Sequence, residues 1–136
     1  MIHKNIHAIE TREVPMPGAQ AVQMQLLCGP ADGCPTFAMR KFIVAPGGCT
    51  PRHHHDYEHE VLVIAGEGTV FGNGREQPLH TGDVLYIPAN ELHQFRNTGA
   101  TPLQFICLVP AFVHQPGAPT PTLVDCAADL PAGSGR

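Results

Sequence analysis

Apolar residues along this chain come in short runs, each cut off by glycine or proline before it grows long. Residues 21–27, 37–44, 60–65, 68–71, 84–87, 93–96 and 103–109 form such runs. They are rich in the β-branched and aromatic side chains that suit a pleated, half-buried surface. Between them lie Pro15-Met16-Pro17-Gly18, Gly29-Pro30, Pro46-Gly47-Gly48, Gly72-Asn73-Gly74, Gly82-Asp83 and Asn97-Thr98-Gly99, all with turn chemistry. No window repeats its apolar positions at the 3.6-residue helical period. Short strands with closely spaced turns predict an all-β sandwich or barrel.

The same alternation orders the histidines. In an extended segment His53 and His55 point one way and His54 the other, so two imidazoles one residue apart can converge on one ion. Farther on, His59 is in phase with Val61, Val63 and Ala65, whereas Glu60 is in phase with Leu62 and Ile64. Only one of His59 and Glu60 faces inward from a regular strand. Parity leans to His59, but the Asp56-Tyr57 loop between can reset the register, so Glu60 stays open as the alternative. Neutral imidazole suits Zn, Cu, Fe and Ni, and a carboxylate shifts preference toward harder ions.

Composition narrows the function classes. A chain of 136 residues without an internal repeat fits a single domain over residues 1–136. Its core is expected over about residues 20–112, followed by a loosely packed tail over 115–136 rich in Pro, Ala, Gly and Thr, with Leu123–Val124 as its anchor. Net charge is −4, and the six arginines (Arg12, Arg40, Arg52, Arg75, Arg96 and Arg136) form no stripe. Neither nucleic acid nor an anionic membrane is therefore an expected partner. The N-terminus shows no apolar run of signal-peptide type, so a cytoplasmic location is expected. Five cysteines (Cys28, Cys34, Cys49, Cys107 and Cys126) without a C-x-x-C pair read as free thiols.

The segment from Gly82 to Asn97 makes the pattern specific. It reads G-x5-P-x-N-x2-H-x3-N, through Gly82, Pro88, Asn90, His93 and Asn97, and it follows Gly47, His53, His55, Glu60 and Gly66. These two segments resemble the paired motifs of the cupin superfamily, G-x5-H-x-H-x3,4-E-x6-G and G-x5-P-x-G-x2-H-x3-N. Gly66 comes one residue early, and Asn90 replaces the inner glycine, a mild change because Asn tolerates a left-handed turn. Only 15 residues separate Gly66 from Gly82, as in compact microbial cupins.

The resemblance implies a cupin jelly-roll β-barrel. The run His-x-His-x3-His-Glu-Val is similar to that of small bacterial cupins with a four-histidine manganese site. Carried over residue by residue, the metal ligands are His53, His55, His59 and His93, with Glu60 as the alternative to His59. The cofactor implied is one divalent transition metal, Mn first, with Fe, Zn, Ni or Cu also fitting. Such a site with open positions implies an oxygenase or peroxidase-like reaction on a small molecule. A metal-dependent isomerase or lyase acting on a sugar acid or related carbonyl compound, and a non-catalytic ligand-binding cupin, are the alternatives.

An apolar surround is expected for the metal, with Phe95, Phe105, Cys107 and Val109 as pocket candidates and Arg40 as a group that could reach an anionic substrate, although surface placement is the ordinary reading of that arginine. Tyr86 and Glu91 are candidate acid/base groups. His3, His7, His54, His80 and His114 are expected to be solvated. Cupins of this size pair as homodimers, and residues 22–27 are the expected contact.

Overall fold

The computed structural model describes residues 1–124. Among these described residues eleven strands carry the fold: β1 (Arg12–Glu13), β2 (Gln20–Cys28), β3 (Phe37–Cys49), β4 (His53–His54), β5 (His59–Ala65), β6 (Glu67–Gly72), β7 (Arg75–His80), β8 (Val84–Ile87), β9 (Gln94–Asn97), β10 (Leu103–Pro110) and β11 (Thr122–Leu123). Helical structure among the described residues is confined to three short 3-10 turns. None is long and apolar enough to cross a membrane.

All strand pairs are antiparallel, in the order β7-β6-β9-β3-β10-β5-β8, with β2 on β3 and β1 on β2; β4 and β11 form a separate ribbon. The sheet curls on itself as an all-β jelly roll. Its curl is built by β3, whose 13 residues pair with β10 and β2 along most of their length and with β9 at Cys49. Pro46-Gly47-Gly48, which reads as a turn in sequence, lies inside this strand; Gly47 at φ +81° bends the strand without ending it.

Alternation fills the interior. On β10, Leu103, Phe105, Cys107 and Val109 are buried. On β5, His59, Val61 and Val63 are buried, while Glu60, Leu62 and Ile64 are exposed. The strand β7 is absent from the sequence expectation because Arg-Glu-Gln-Pro-Leu-His shows no apolar alternation and contains Pro78; it is a sheet edge whose buried residue is Leu79. His80 ends this strand. Within the stretch 22–27, Gln23, Met24, Leu26 and Leu27 are half-buried. Val22 is in the core and Gln25 is buried, and exposed apolar side chains elsewhere include Leu62, Ile64, Val84 and Tyr86.

Two motif residues hold the chain where it turns sharply. Gly66 has φ +80°, and a Cβ there would collide with the Pro102 carbonyl. Asn90 adopts φ +69°. Asn97, the last residue of the second motif, is 3% exposed; its Nδ2 donates to the Val44 and Thr101 carbonyls at 2.8 Å each, and its Oδ1 accepts from Gly99 N at 2.9 Å. Asn97→Ala leaves those buried backbone groups without partners and is expected to cost about 2–3 kcal/mol. Urea denaturation checks this, and a cost under about 0.5 kcal/mol would contradict it.

Of the expected tail, Thr122–Leu123 pairs with β4 and Val124 N donates to Arg52 O at 2.8 Å. Residues 125–136, including Cys126, lie outside the described residues.

Candidate metal centre

The two histidine segments are stitched together through their backbones. His53 N donates to His93 O at 3.2 Å, and His93 N donates back to His53 O at 3.0 Å. Three residues before His53 and two after His93, Thr50 N donates to Phe95 O and Thr50 Oγ1 accepts from Phe95 N, both at 2.9 Å. Asn90 N closes the loop onto His55 O at 2.6 Å. These bonds fix β4 against the start of β9, and pairing of His59 with Ile87 on β8 fixes the fourth imidazole.

His53, His55, His59 and His93 consequently offer one nitrogen each within 4.8 Å of one another. His59, His55 and His93 are buried and His53 partly so. The outer ring nitrogens are anchored: His55 Nδ1 donates to Tyr57 O and His93 Nδ1 to Glu91 O, each at 2.8 Å. Those anchors set the tautomer, so both Nε2 lone pairs point inward. His93 Nε2 and His53 Nδ1 are buried without any hydrogen-bond partner. His55 Nε2 and His59 Nε2 face each other at 2.8 Å, with a single proton between two nitrogens.

Four converging imidazoles, two of them (His53 and His93) with a buried nitrogen that has no hydrogen-bond partner, are a donor set that fits a divalent transition metal and could hold one. Glu60 does not belong to the set: it lies on the outer face of β5, opposite Tyr86.

Burial keeps the cluster neutral, as a ligand set must be. It lowers His53 from the usual 6.5 to about 3 and His93 to about 4, and it pushes His55 and His59 down as well. The unfolded chain titrates near 6.5, so below that pH it binds protons that the folded, metal-free protein refuses, and stability falls as pH falls. The metal-free protein is expected to lose stability steadily from about pH 6.5 to about pH 4. Denaturant midpoints in the presence of a chelator test this, and a flat profile over that window would sink it.

The cluster lies at the wall of a cavity of about 710 Å³. Arg40, Phe95, Phe105 and Cys107 line it, together with Phe42 and Tyr57. Val109 does not; it is packed in the core opposite Ala38, toward the end of β10. Arg40 is 9% exposed, so the surface placement is corrected: with Ala38 and Val44 it occupies the inward face of β3. The surround is also less apolar than expected, because Cys107 Sγ lies 3.2 Å from His59 Nδ1 and 3.1 Å from Arg40 Nη2.

Tyr86 is 61% exposed on the outer face. Glu91 supplies only its backbone carbonyl to His93, and neither residue lines the cavity. His3, His7 and His80 are exposed and His54 is half-buried.

Sequence reasoning missed three contributors. Tyr57 stacks flat on His55, with centroids 3.8 Å apart and planes 4° apart. His114 is not solvated: it lines the cavity with Nε2 buried and unpartnered, and burial followed by the Arg40 charge lowers it to about 4. The stretch Ala118–Pro119–Thr120–Pro121 closes one side of the cavity. None of these has a local period that betrays it; the apolar content of the tail was its only signal.

Comparison with known proteins matches the pattern of the cupin domain to residues 40–109, just over half of the 136 residues. The oxalate-binding protein of Thermotoga maritima is 35% identical over 65 residues, covering 47% of this chain and 54% of that protein. Protein SchB of Streptomyces halstedii is 35% identical over 99 residues, covering 72% of this chain and 68% of SchB. The chain thus spans about half the length of the first relative and two thirds of the second. Among solved structures, the polyketide cyclase RemF from Streptomyces resistomycificus superposes with a TM-score of 0.83 at 27% identity, covering 95% of this chain and 89% of that one.

Proposed function

The chain belongs to the cupin family, and we propose that it is a metal-dependent enzyme that binds a bulky, mostly apolar carbonyl compound and closes or rearranges its carbon skeleton. One observation carries this reading. Four converging imidazoles, each offering one nitrogen within 4.8 Å of the others, stand at the wall of a cavity of about 710 Å³ walled by Phe42, Phe95 and Phe105. A two-carbon acid such as oxalate would leave most of that volume empty, whereas a molecule of fused-ring size would fill it. Similarity to the polyketide cyclase RemF over nearly the whole chain supports the same choice.

A divalent metal held by His53, His55, His59 and His93 would supply Lewis acidity that polarises a substrate carbonyl. The chain's own residues supply the rest. Phe42, Phe105 and Phe95 stack in series, with centroids 5.4 and 4.4 Å apart, and present flat apolar walls that orient a planar substrate. The Ala118–Pro121 stretch and β1 line the cavity as well. His114, neutral at pH 7 with its Nε2 unpartnered, offers a hydrogen bond to a substrate oxygen. The oxygenase or peroxidase-like activity implied by the sequence resemblance is not an activity that the names of these relatives carry.

The test separates the two chemistries. Metal-free protein is reloaded with Zn and offered aryl 1,3,5-triketones, whose terminal carbon can attack the distal carbonyl to close a six-membered ring, under argon, with products followed by mass spectrometry. Ring closure with loss of water, absent in chelator, is expected. Turnover that needs both oxygen and a redox-active metal would replace this reading with the oxygenase.

A further inference from the structure

The cavity contains a charge that no carboxylate among the described residues neutralises. Arg40 is 9% exposed, with its Cζ 4.9 Å from the centre of the Phe42 ring. Its polar contacts are to Cys107 Sγ at 3.1 Å and His59 Nδ1 at 3.4 Å through Nη2. Nε is buried and has no hydrogen-bond partner. The ion pairs among the described residues are made by other side chains. The other charged residues lining the cavity, Arg12 and Glu13, are exposed and engaged elsewhere: Arg12 pairs with Glu10 at 2.9 Å, and Glu13 accepts from Gln23 at 3.0 Å.

A guanidinium does not escape burial by giving up its proton. Lysine or histidine in this place would become neutral; arginine stays charged and its desolvation goes uncompensated until an anion arrives. The surrounding imidazoles offer no counter-charge, since an imidazole is either neutral or positive. The planar fork formed by the guanidinium Nε and Nη groups matches a carboxylate through two parallel hydrogen bonds.

We infer that the ligand of this cavity carries a carboxylate, bound by Arg40 beside the four histidines while the apolar body of the ligand lies against Phe42, Phe95 and Phe105. The inference rests on the cavity being the substrate site, and it narrows the substrate to a bulky organic acid. Arg40 would then fix which end of the substrate faces the metal ligands, which makes it a specificity-determining group.

The experiment uses the full chain stripped of metal with a chelator, and two probes of one shape: 2-naphthoate and the neutral 2-naphthamide. Titration calorimetry at pH 7.5 should show the acid binding at least about tenfold tighter than the amide, the scale of a charge-assisted hydrogen bond in a dry site. Arg40→Gln should abolish that preference, and Arg40→Lys, which keeps the charge but loses the fork, should retain part of it. Circular dichroism establishes that each variant is folded; should Arg40→Gln unfold, the Lys variant and the probe pair in the parent protein still decide. Equal affinities for the two probes, binding of neither, or an acid preference that survives Arg40→Gln would each overturn the inference. Metal content is measured on the same preparations. Acid preference in a protein that takes up no metal would remove the metal-enzyme reading and leave this one standing, and metal uptake without acid preference would do the reverse.

Discussion

His93→Ala is expected to lower metal affinity by at least about 100-fold, while Glu60→Ala leaves it unchanged. Losing even an outer partner of a ligand costs about 10–100-fold, so loss of a ligand sets the larger end as a floor. His93 is chosen because its Nδ1 is tied to Glu91 O and its Nε2 is buried with no other partner, so its lone pair has no use except toward the cluster centre. Glu60 is the matched control: it neighbours His59 in sequence, lies on the opposite face of β5, and does not belong to the cluster. Elemental analysis of both variants, purified without added metal, reads the outcome. A second signature comes from stability. Metal at 1,000 times its dissociation constant should add about 4 kcal/mol to the parent, and the same addition should leave His93→Ala almost unmoved. Metal binding by His93→Ala at parental affinity, or its loss in Glu60→Ala, would refute this ligand set.

Strand parity made much of this arrangement readable. His59, Val61 and Val63 share the buried face of β5, and Glu60, Leu62 and Ile64 the exposed one, the period-2 division that their order suggests. Parity also carried information that the sequence reading did not use. Arg40 is in phase with Ala38, Phe42 and Val44, which points it inward, whereas its charge points to the surface; parity outweighs charge here, and Arg40 is buried. Other features were out of reach. Tyr57 and His114 sit in a loop and a 3-10 turn, where side-chain direction is set by tertiary contacts and no period survives. The edge strand β7 pairs through backbone hydrogen bonds to β6, which polar residues make as well as apolar ones. Pro46-Gly47-Gly48 has the chemistry of a turn yet lies within β3, because pairing of Cys49 with both Gln20 and Arg96 carries the strand past the bend.

Phe105→Ala is expected to destabilise the fold by about 3 kcal/mol, the lower end of the usual 3–5 for a buried phenylalanine. Phe105 is 2% exposed on β10 and is the middle ring of a stack, 5.4 Å from Phe42 and 4.4 Å from Phe95, with both neighbours inclined by 25°. Truncation removes both contacts at once and unties β3 from β9 across the interior. One feature moderates the loss: Phe105 also borders the cavity, so the space left behind joins an existing volume that water or ligand can enter. Against a total stability of about 5–15 kcal/mol, the loss should still lower the melting temperature by roughly 10 °C. Phe105→Leu keeps most of the volume and should cost about 1.5 kcal/mol. Metal uptake should survive in the Leu variant, because the histidines are positioned by the His53–His93 backbone bridge and the His59–Ile87 pairing and do not rest on this ring. Thermal denaturation in chelator, paired with metal analysis, separates the two roles. If Phe105→Ala melts within about 3 °C of the parent, the ring serves only as cavity wall; if Phe105→Leu loses its metal, the stack also supports the histidines.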